Sequence, residues 1–102
     1  MRFILVLQWP GHTEADFEAL VEMEHLLDSE LGPLGTVDGH DFGSGQMNIF
    51  IDTDRPMQAF AATRGLLGAR PMWEAMRAAS RETDGDTYEL LWPIGLSEFS
   101  VS

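Results

Sequence analysis

The chain has 102 residues, a net charge of −11 and 44% hydrophobic residues, enough for one hydrophobic core but not for two. Because it contains no cysteine, disulfides, thiolate zinc sites and cysteine nucleophiles are excluded. A charge this negative disfavours nucleic acid and anionic membranes, and it serves either solubility or the binding of a cationic partner.

The N-terminal residues 2–9, RFILVLQW, predict a first strand that stops at Pro10-Gly11. Both alternating sets of side chains are largely apolar, which is typical of a central strand covered on two faces. The same run is shorter than a membrane span and has no small-residue cleavage site, so we expect a cytoplasmic protein.

A first helix is predicted from Thr13, whose following acids suit a helix start, to about Leu31, before Gly32-Pro33. Its outer stripe is polar and is the predicted partner-binding surface, formed by Glu14, Glu18, Glu22 and His25. Glu24 falls instead in the middle of the apolar face. A carboxylate there either pairs with a cation or works as an acid or base.

Residues 34–53 predict a hairpin that turns at residues 43–45, with the first strand at an edge of the sheet. The first strand carries a cluster of oxygen and imidazole ligands, formed by Asp38, His40 and Asp41. Simple alternation places Asp38 and His40 on one face, as a chelating pair requires. No third ligand has a characteristic spacing, so these residues are candidates only, and no metal or other cofactor is predicted.

A second helix is expected from Arg55-Pro56, capped by Asp54, and residues 87–93 predict the last strand. Residues 77–83 fit either a helix or a strand closing a hairpin at Asp84-Gly85. The order βαββαβ indicates an α+β protein of the ferredoxin-like type, an antiparallel sheet with helices on one face. We expect one domain over residues 1–93 and a tail over 94–102.

The second face of the predicted sheet is also apolar, through Ile4, Val6, Phe50 and Leu91. Monomers rarely expose a contiguous apolar patch of more than a few hundred Å². Either a second copy of the chain or the tail, with its own apolar residues, must therefore cover this face. We expect a homodimer.

The stretch DGHDFGSGQMNIFIDTD, residues 38–54, and the later Leu91-Trp92-Pro93 resemble a family of small uncharacterised bacterial proteins. The shared motif consists of turn and core positions, so the resemblance implies no catalytic residue. In size and acidity the chain is also similar to the immunity proteins of bacterial toxin systems.

Two functional hypotheses follow from these patterns, beside a third, structural interpretation in which the chain is only a subunit of an assembly. The first is a non-enzymatic binding module, immunity- or inhibitor-like, whose acidic stripe holds a basic protein. The second is a small enzyme or ligand-binding protein of the dimeric α/β-barrel kind, in which Glu24 or His40 transfers a proton. A closed pocket containing one of these side chains would favour the second.

Overall fold

A computed structural model, in which residues 1–101 are described, shows an α+β fold with a five-stranded antiparallel sheet and two helices. The strands are β1 (Phe3–Pro10), β2 (Thr36–Gly43), β3 (Gln46–Thr53), β4 (Arg77–Glu82) and β5 (Glu89–Trp92). The helices are α1 (Glu14–Glu30) and α2 (Pro56–Leu67), with short 3-10 turns at Gly32–Leu34 and Pro71–Ala75. The strand order is β2-β3-β1-β4-β5.

The hydrophobic core lies between one face of the sheet and both helices. β1 is central, paired with β3 on one side and β4 on the other. Its odd-numbered residues and those of β3 share one face, where they pack against apolar side chains of α1 and α2. The fully buried members include Leu5, Leu7, Ile49, Ile51, Leu20 and Leu27. In the described part of the chain neither helix is long and apolar enough to cross a membrane.

Helix α1 begins and ends as its sequence predicts. The Thr13 hydroxyl accepts the backbone N–H of Asp16 at 3.1 Å, and the Asp16 carboxylate accepts the N–H of Thr13 at 3.1 Å. This reciprocal pair is a capping box, which satisfies donors that the first helical turn leaves open. The chain leaves the helix at Gly32, whose φ of 57° suits glycine.

The start of α2 differs from the prediction that Asp54 caps it. The N-cap residue is Arg55, which makes no side-chain capping bond. The Thr53 hydroxyl accepts the Arg55 N–H at 2.9 Å and donates to the Leu34 carbonyl at 2.6 Å. Thr53 is buried and Asp54 is exposed, so the buried hydroxyl rather than the solvated carboxylate organises this junction.

Residues 77–82 form strand β4, which resolves the ambiguity between helix and strand. The preceding helical turn ends at Ala75, and Ala78 to Ser80 then pair with Leu5 to Leu7 of β1. The predicted last strand is therefore the fifth, and it forms the short edge strand β5. Small side chains suit β4, since Ala78 and Ala79 are both fully buried.

The face of the sheet opposite the helices carries Ile4, Val6 and Phe50, as predicted, but not Leu91. A register shift in β5 pairs Leu90 with Ala79, so Leu90 lies on this open face. Leu91 packs against the core on the helix side. We call the surface of Ile4, Val6, Phe50 and Leu90 the open face.

The C-terminal tail, residues 94–101, passes over the open face. The Ser100 carbonyl accepts Gln8 Nε2 at 2.9 Å, and Phe99 packs edge-on against Tyr88 at 5.0 Å between ring centroids. Val6 is fully buried although no helix covers this side. In a single chain the tail therefore covers the part of the open face around Gln8, while Ile4 and Phe50 stay partly exposed.

Candidate functional site

The two predicted titratable candidates, Glu24 and His40, are in direct contact. His40 Nδ1 lies 3.0 Å from Glu24 Oε2 and 3.1 Å from Oε1. The Glu24 side chain is 16% exposed and that of His40 is 32% exposed. The carboxylate that the sequence places on the apolar face of α1 is therefore in contact with an imidazole on strand β2.

A β-bulge in β2 aims His40 at the helix. Val37 pairs with Ile51 and His40 pairs with Ile49, so three positions of β2 span two of β3. The extra residue reverses the alternation after Asp38, and Gly39 takes a φ of 136° there. Without it, alternation from Val37 would turn His40 away from α1.

Two phenylalanine rings complete the surroundings of the pair. Phe17 of α1 packs edge-on against the His40 imidazole at 5.7 Å and against Phe42 at 5.4 Å between ring centroids. Phe42 is partly buried against the core, whereas Phe17 is 38% exposed. Neither ring was a sequence-based candidate.

The contact determines which imidazole nitrogen is available for chemistry. A carboxylate without a proton can only accept, so Nδ1 donates to Glu24, and Nε2 remains the nitrogen for any external group. Within residues 1–101, Glu24 is the only hydrogen-bond partner of the ring. No serine or threonine hydroxyl is placed against His40 in that span, so the pair lacks a nucleophile of its own.

Three cavities of the described residues lie away from this pair. They measure about 400, 280 and 330 Å³, and neither Glu24 nor His40 lines any of the three. The closed pocket that the enzyme hypothesis requires around these side chains is therefore not among them.

The predicted metal candidates do not converge. Asp41 pairs with Asn48 on the open face, while His40 faces α1 on the other side of the sheet. Asp38, at the bulge, is exposed. Residues 1–101 contain no group of three or more histidine, aspartate or glutamate side chains that could hold a metal ion.

The predicted partner-binding stripe on α1 is solvent-exposed along its whole length, at Glu14, Glu18, Glu22 and His25. Arg70 Nη1 approaches Glu22 Oε1 at 3.6 Å. No other arginine of residues 1–101 lies within ion-pair distance of the stripe. Two of the three glutamates of the stripe, Glu14 and Glu18, therefore have no cationic partner within residues 1–101.

A polar cluster on the open face was missed by the sequence analysis. Gln8 Nε2 donates to Asn48 Oδ1 at 3.0 Å and to the Ser100 carbonyl at 2.9 Å, and Gln46 Oε1 lies 3.3 Å away. Gln8 is 5% exposed and Asn48 is completely buried. Polar residues inside two otherwise apolar strands were the available signal, because buried amides need partners.

Comparison with known proteins gives no functional assignment for this chain. No family model, no curated protein and no solved structure matches the chain.

Proposed function

We propose that the protein is a non-enzymatic binding module that holds a basic protein partner on the acidic surface of α1 and β2, as an immunity protein or inhibitor would. The observation that carries the proposal is the exposed stripe Glu14, Glu18 and Glu22. These glutamates lie four residues apart on one helix and repel each other by roughly 0.2–0.5 kcal/mol per pair. A cationic partner converts that repulsion into attraction.

The sequence around the stripe contains acidic residues and no basic arginine or lysine over a long stretch. Residues 14–43 contain nine acidic residues and no arginine or lysine. Because α1 packs against β2, the exposed Asp38 of that strand adds to the charge near the helix, while Asp41 lies on the opposite face of the sheet. Such a field accelerates the encounter with a positively charged protein and discriminates against acidic ones.

The edge of β2 offers a second means of holding a partner. β2 is the outermost strand of the sheet beside β3, so one row of its backbone N–H and C=O groups has no strand partner in the single chain. An extended segment of another protein can pair with such an edge. The acidic side chains beside it would favour a segment rich in arginine or lysine.

The test compares two variants with the same change in net charge. In Glu14→Gln/Glu18→Gln/Glu22→Gln the stripe loses three charges, and in the control Glu82→Gln/Asp84→Asn/Glu89→Gln three exposed acids elsewhere are neutralised. Affinity capture from cells of the source organism at low salt should recover a basic protein with the wild type and the control, but not with the stripe variant. The interaction should weaken steeply with added salt.

Two outcomes would contradict this function. Equal loss of the captured protein in both triple variants would show a general charge effect rather than a binding surface. Recovery of the chain alone, at every salt concentration, would leave the stripe without a partner.

The contact between Glu24 and His40 favours the second candidate function, proton transfer on a small molecule. A carboxylate that orients an imidazole is a recurring arrangement in general base catalysis. A thermal-shift screen of small apolar carbonyl compounds tests it: hits lost in His40→Ala and in Glu24→Gln, but kept in Arg55→Gln, would support it. Absence of such hits would count against it.

We also propose that the first six main elements form a ferredoxin-like unit and that the protein self-associates through the open face. The antiparallel order β2-β3-β1-β4, with one helix after β1 and one after β3, supports the first statement. The partial exposure of Ile4 and Phe50 beside the tail supports the second. A solution mass of twice 11.4 kDa is expected for the dimer, and 11.4 kDa would contradict it.

A further inference from the structure

Two neighbouring cavities lie at one end of the sheet, and together we call them the groove. They measure about 400 and 280 Å³, and both are lined by Gln8, Gln46 and Arg77. The larger one lies within the size range of small-molecule sites. Its wall is partly apolar, through the almost fully buried Trp9 and Met76.

Arg77 is the arginine of this groove, and it has no partner in residues 1–101. Its guanidinium makes no hydrogen bond, ion pair or ring contact there, whereas every other arginine of the chain has at least one. These contacts are Arg2 with Asp52, Arg55 with Asp54, Arg64 with Trp92, Arg70 with Glu22, and Arg81 with three backbone carbonyls. In a chain of net charge −11, a guanidinium with five open donors facing a cavity is suited to a carboxylate ligand.

Glu74 lines the same cavity and is also unpartnered within residues 1–101. It stands three positions before Arg77, yet the two side chains form no ion pair within 4.0 Å. The larger cavity therefore holds one positive and one negative side chain that form no ion pair with each other, and Glu98 lines the smaller cavity. A ligand that carries both an ammonium and a carboxylate group complements both.

The amide cluster of the open face borders the groove through Gln8, whose two Nε2 hydrogens are already engaged by Asn48 and Ser100. Gln8 lines both cavities and already binds one backbone carbonyl, that of Ser100. Its neighbour Asn48, whose buried Nδ2 group has no hydrogen-bond acceptor in residues 1–101, lines neither cavity.

We propose that this groove binds a small zwitterion with an apolar body, of the class of apolar dipeptides. Arg77 holds the carboxylate, Glu74 holds the ammonium group, and Trp9 and Met76 contact the apolar side chains. The site is separate from the proposed partner surface on α1 and β2, and the two can fail independently.

The experiment uses leucyl-leucine and two blocked forms, one N-acetylated and one C-amidated, titrated into the ¹⁵N-labelled full chain. The side-chain amide signals of Gln8 and the indole N–H of Trp9 should shift with the free dipeptide, and each blocked form should bind roughly tenfold more weakly, because each loses one charge-assisted contact. In Arg77→Gln the preference for the acid over the amide should disappear. In Glu74→Gln the preference for the free amine over the acetylated form should disappear.

Matched controls remove one charge of each sign elsewhere. Arg55→Gln and Glu89→Gln change exposed residues that do not line the groove, and both preferences should survive in them. All four variants alter exposed residues, and a dispersed ¹⁵N spectrum verifies their fold. Absence of shifts at Gln8 and Trp9 with free leucyl-leucine would overturn the proposal, as would equal binding of the three peptides by the wild type.

Discussion

Glu24 and His40 hold each other in position across two elements. The carboxylate comes from a helix and the imidazole from an edge strand, and both oxygens of Glu24 lie within 3.1 Å of Nδ1. Phe17 shields one side of the ring. Since both side chains are more than half buried, loss of either partner leaves a polar group poorly solvated.

A double-mutant cycle measures this mutual dependence. Glu24→Ala and His40→Ala should each lower the free energy of unfolding, and the coupling between them should be about 0.5–1 kcal/mol. The same cycle with Glu18→Ala in place of Glu24→Ala is the control, because Glu18 is exposed on the outer stripe. Equal coupling in both cycles, measured by urea unfolding, would contradict the contact.

Asp16 makes the start of α1 sensitive to acid. The backbone N–H groups of His12 and Thr13 both donate to its carboxylate, which lowers the pKa of Asp16 below its usual 3.8. A lowered pKa in the folded state stabilises the protein above pH 3.8, and this contribution is lost as the pH falls through the folded-state value. Asp16→Asn should therefore destabilise the protein at pH 7, and the difference from the wild type should shrink towards pH 2. A difference that is the same at both pH values would refute this role.

At the scale of elements, the sequence predicts the parts whose signals are local. β1, α1 and the β2–β3 hairpin lie where hydrophobic periodicity, the capping box and the glycine turn place them. β4 and β5 were harder, because residues 71–80 keep a helical period although the chain becomes extended at Met76. Strand β4 forms because residues 77–82 pair with β1, and a pairing between segments so far apart in the sequence leaves no local signal.

The candidate site shows the same division between local and non-local signals. Glu24 stood out because a charge on an apolar helix face needs an explanation, and His40 because it lies in a run of possible ligands. Their contact depends on the bulge before His40, and a bulge shifts every later side chain to the opposite face. Leu90 and Leu91 exchanged faces through a second register shift, in β5.

The β2–β3 turn provides a stability test at the element scale. Ser44 and Gly45 connect the two strands with φ values of 55° and 78°, as a two-residue type I′ turn requires. A Cβ on Gly45 would lie 3.2 Å from His12 Cε1. Gly45→Ala should therefore cost about 1–2 kcal/mol, whereas Ser44→Asn should be neutral or stabilising, because asparagine tolerates this backbone region. Thermal unfolding of the two variants checks the prediction, and equal melting temperatures would contradict it.

At the scale of the whole molecule, the C-terminal tail affects how much of the open face is available for self-association. Its Ser100 carbonyl accepts a hydrogen bond from Gln8, and its Phe99 packs against Tyr88, so the open face is partly shielded without a second copy. The acidic surface of α1 and β2 belongs to the opposite side of the core, on the helix layer and its edge strand. The two surfaces can therefore serve different partners.

Deletion of the tail, residues 94–102, should expose the open face. The shortened chain should bind a hydrophobic dye more strongly than the full chain and associate more readily, because Ile4, Val6, Phe50 and Leu90 would form one apolar patch. Sedimentation of both chains over a range of concentrations measures the effect. The variant Phe99→Ser/Val101→Ser, which keeps the length, should show the same trend. Unchanged dye binding in both would contradict the role of the tail.

The most direct test of the proposed function is to map where a cationic chain binds. Titration of the ¹⁵N-labelled protein with octa-arginine should shift backbone signals of α1 and β2 first, and the shifts should fade as salt is added. The stripe variant Glu14→Gln/Glu18→Gln/Glu22→Gln should lose them. Shifts centred on residues 82–89, or spread evenly over all exposed acids, would contradict a partner surface on α1 and β2.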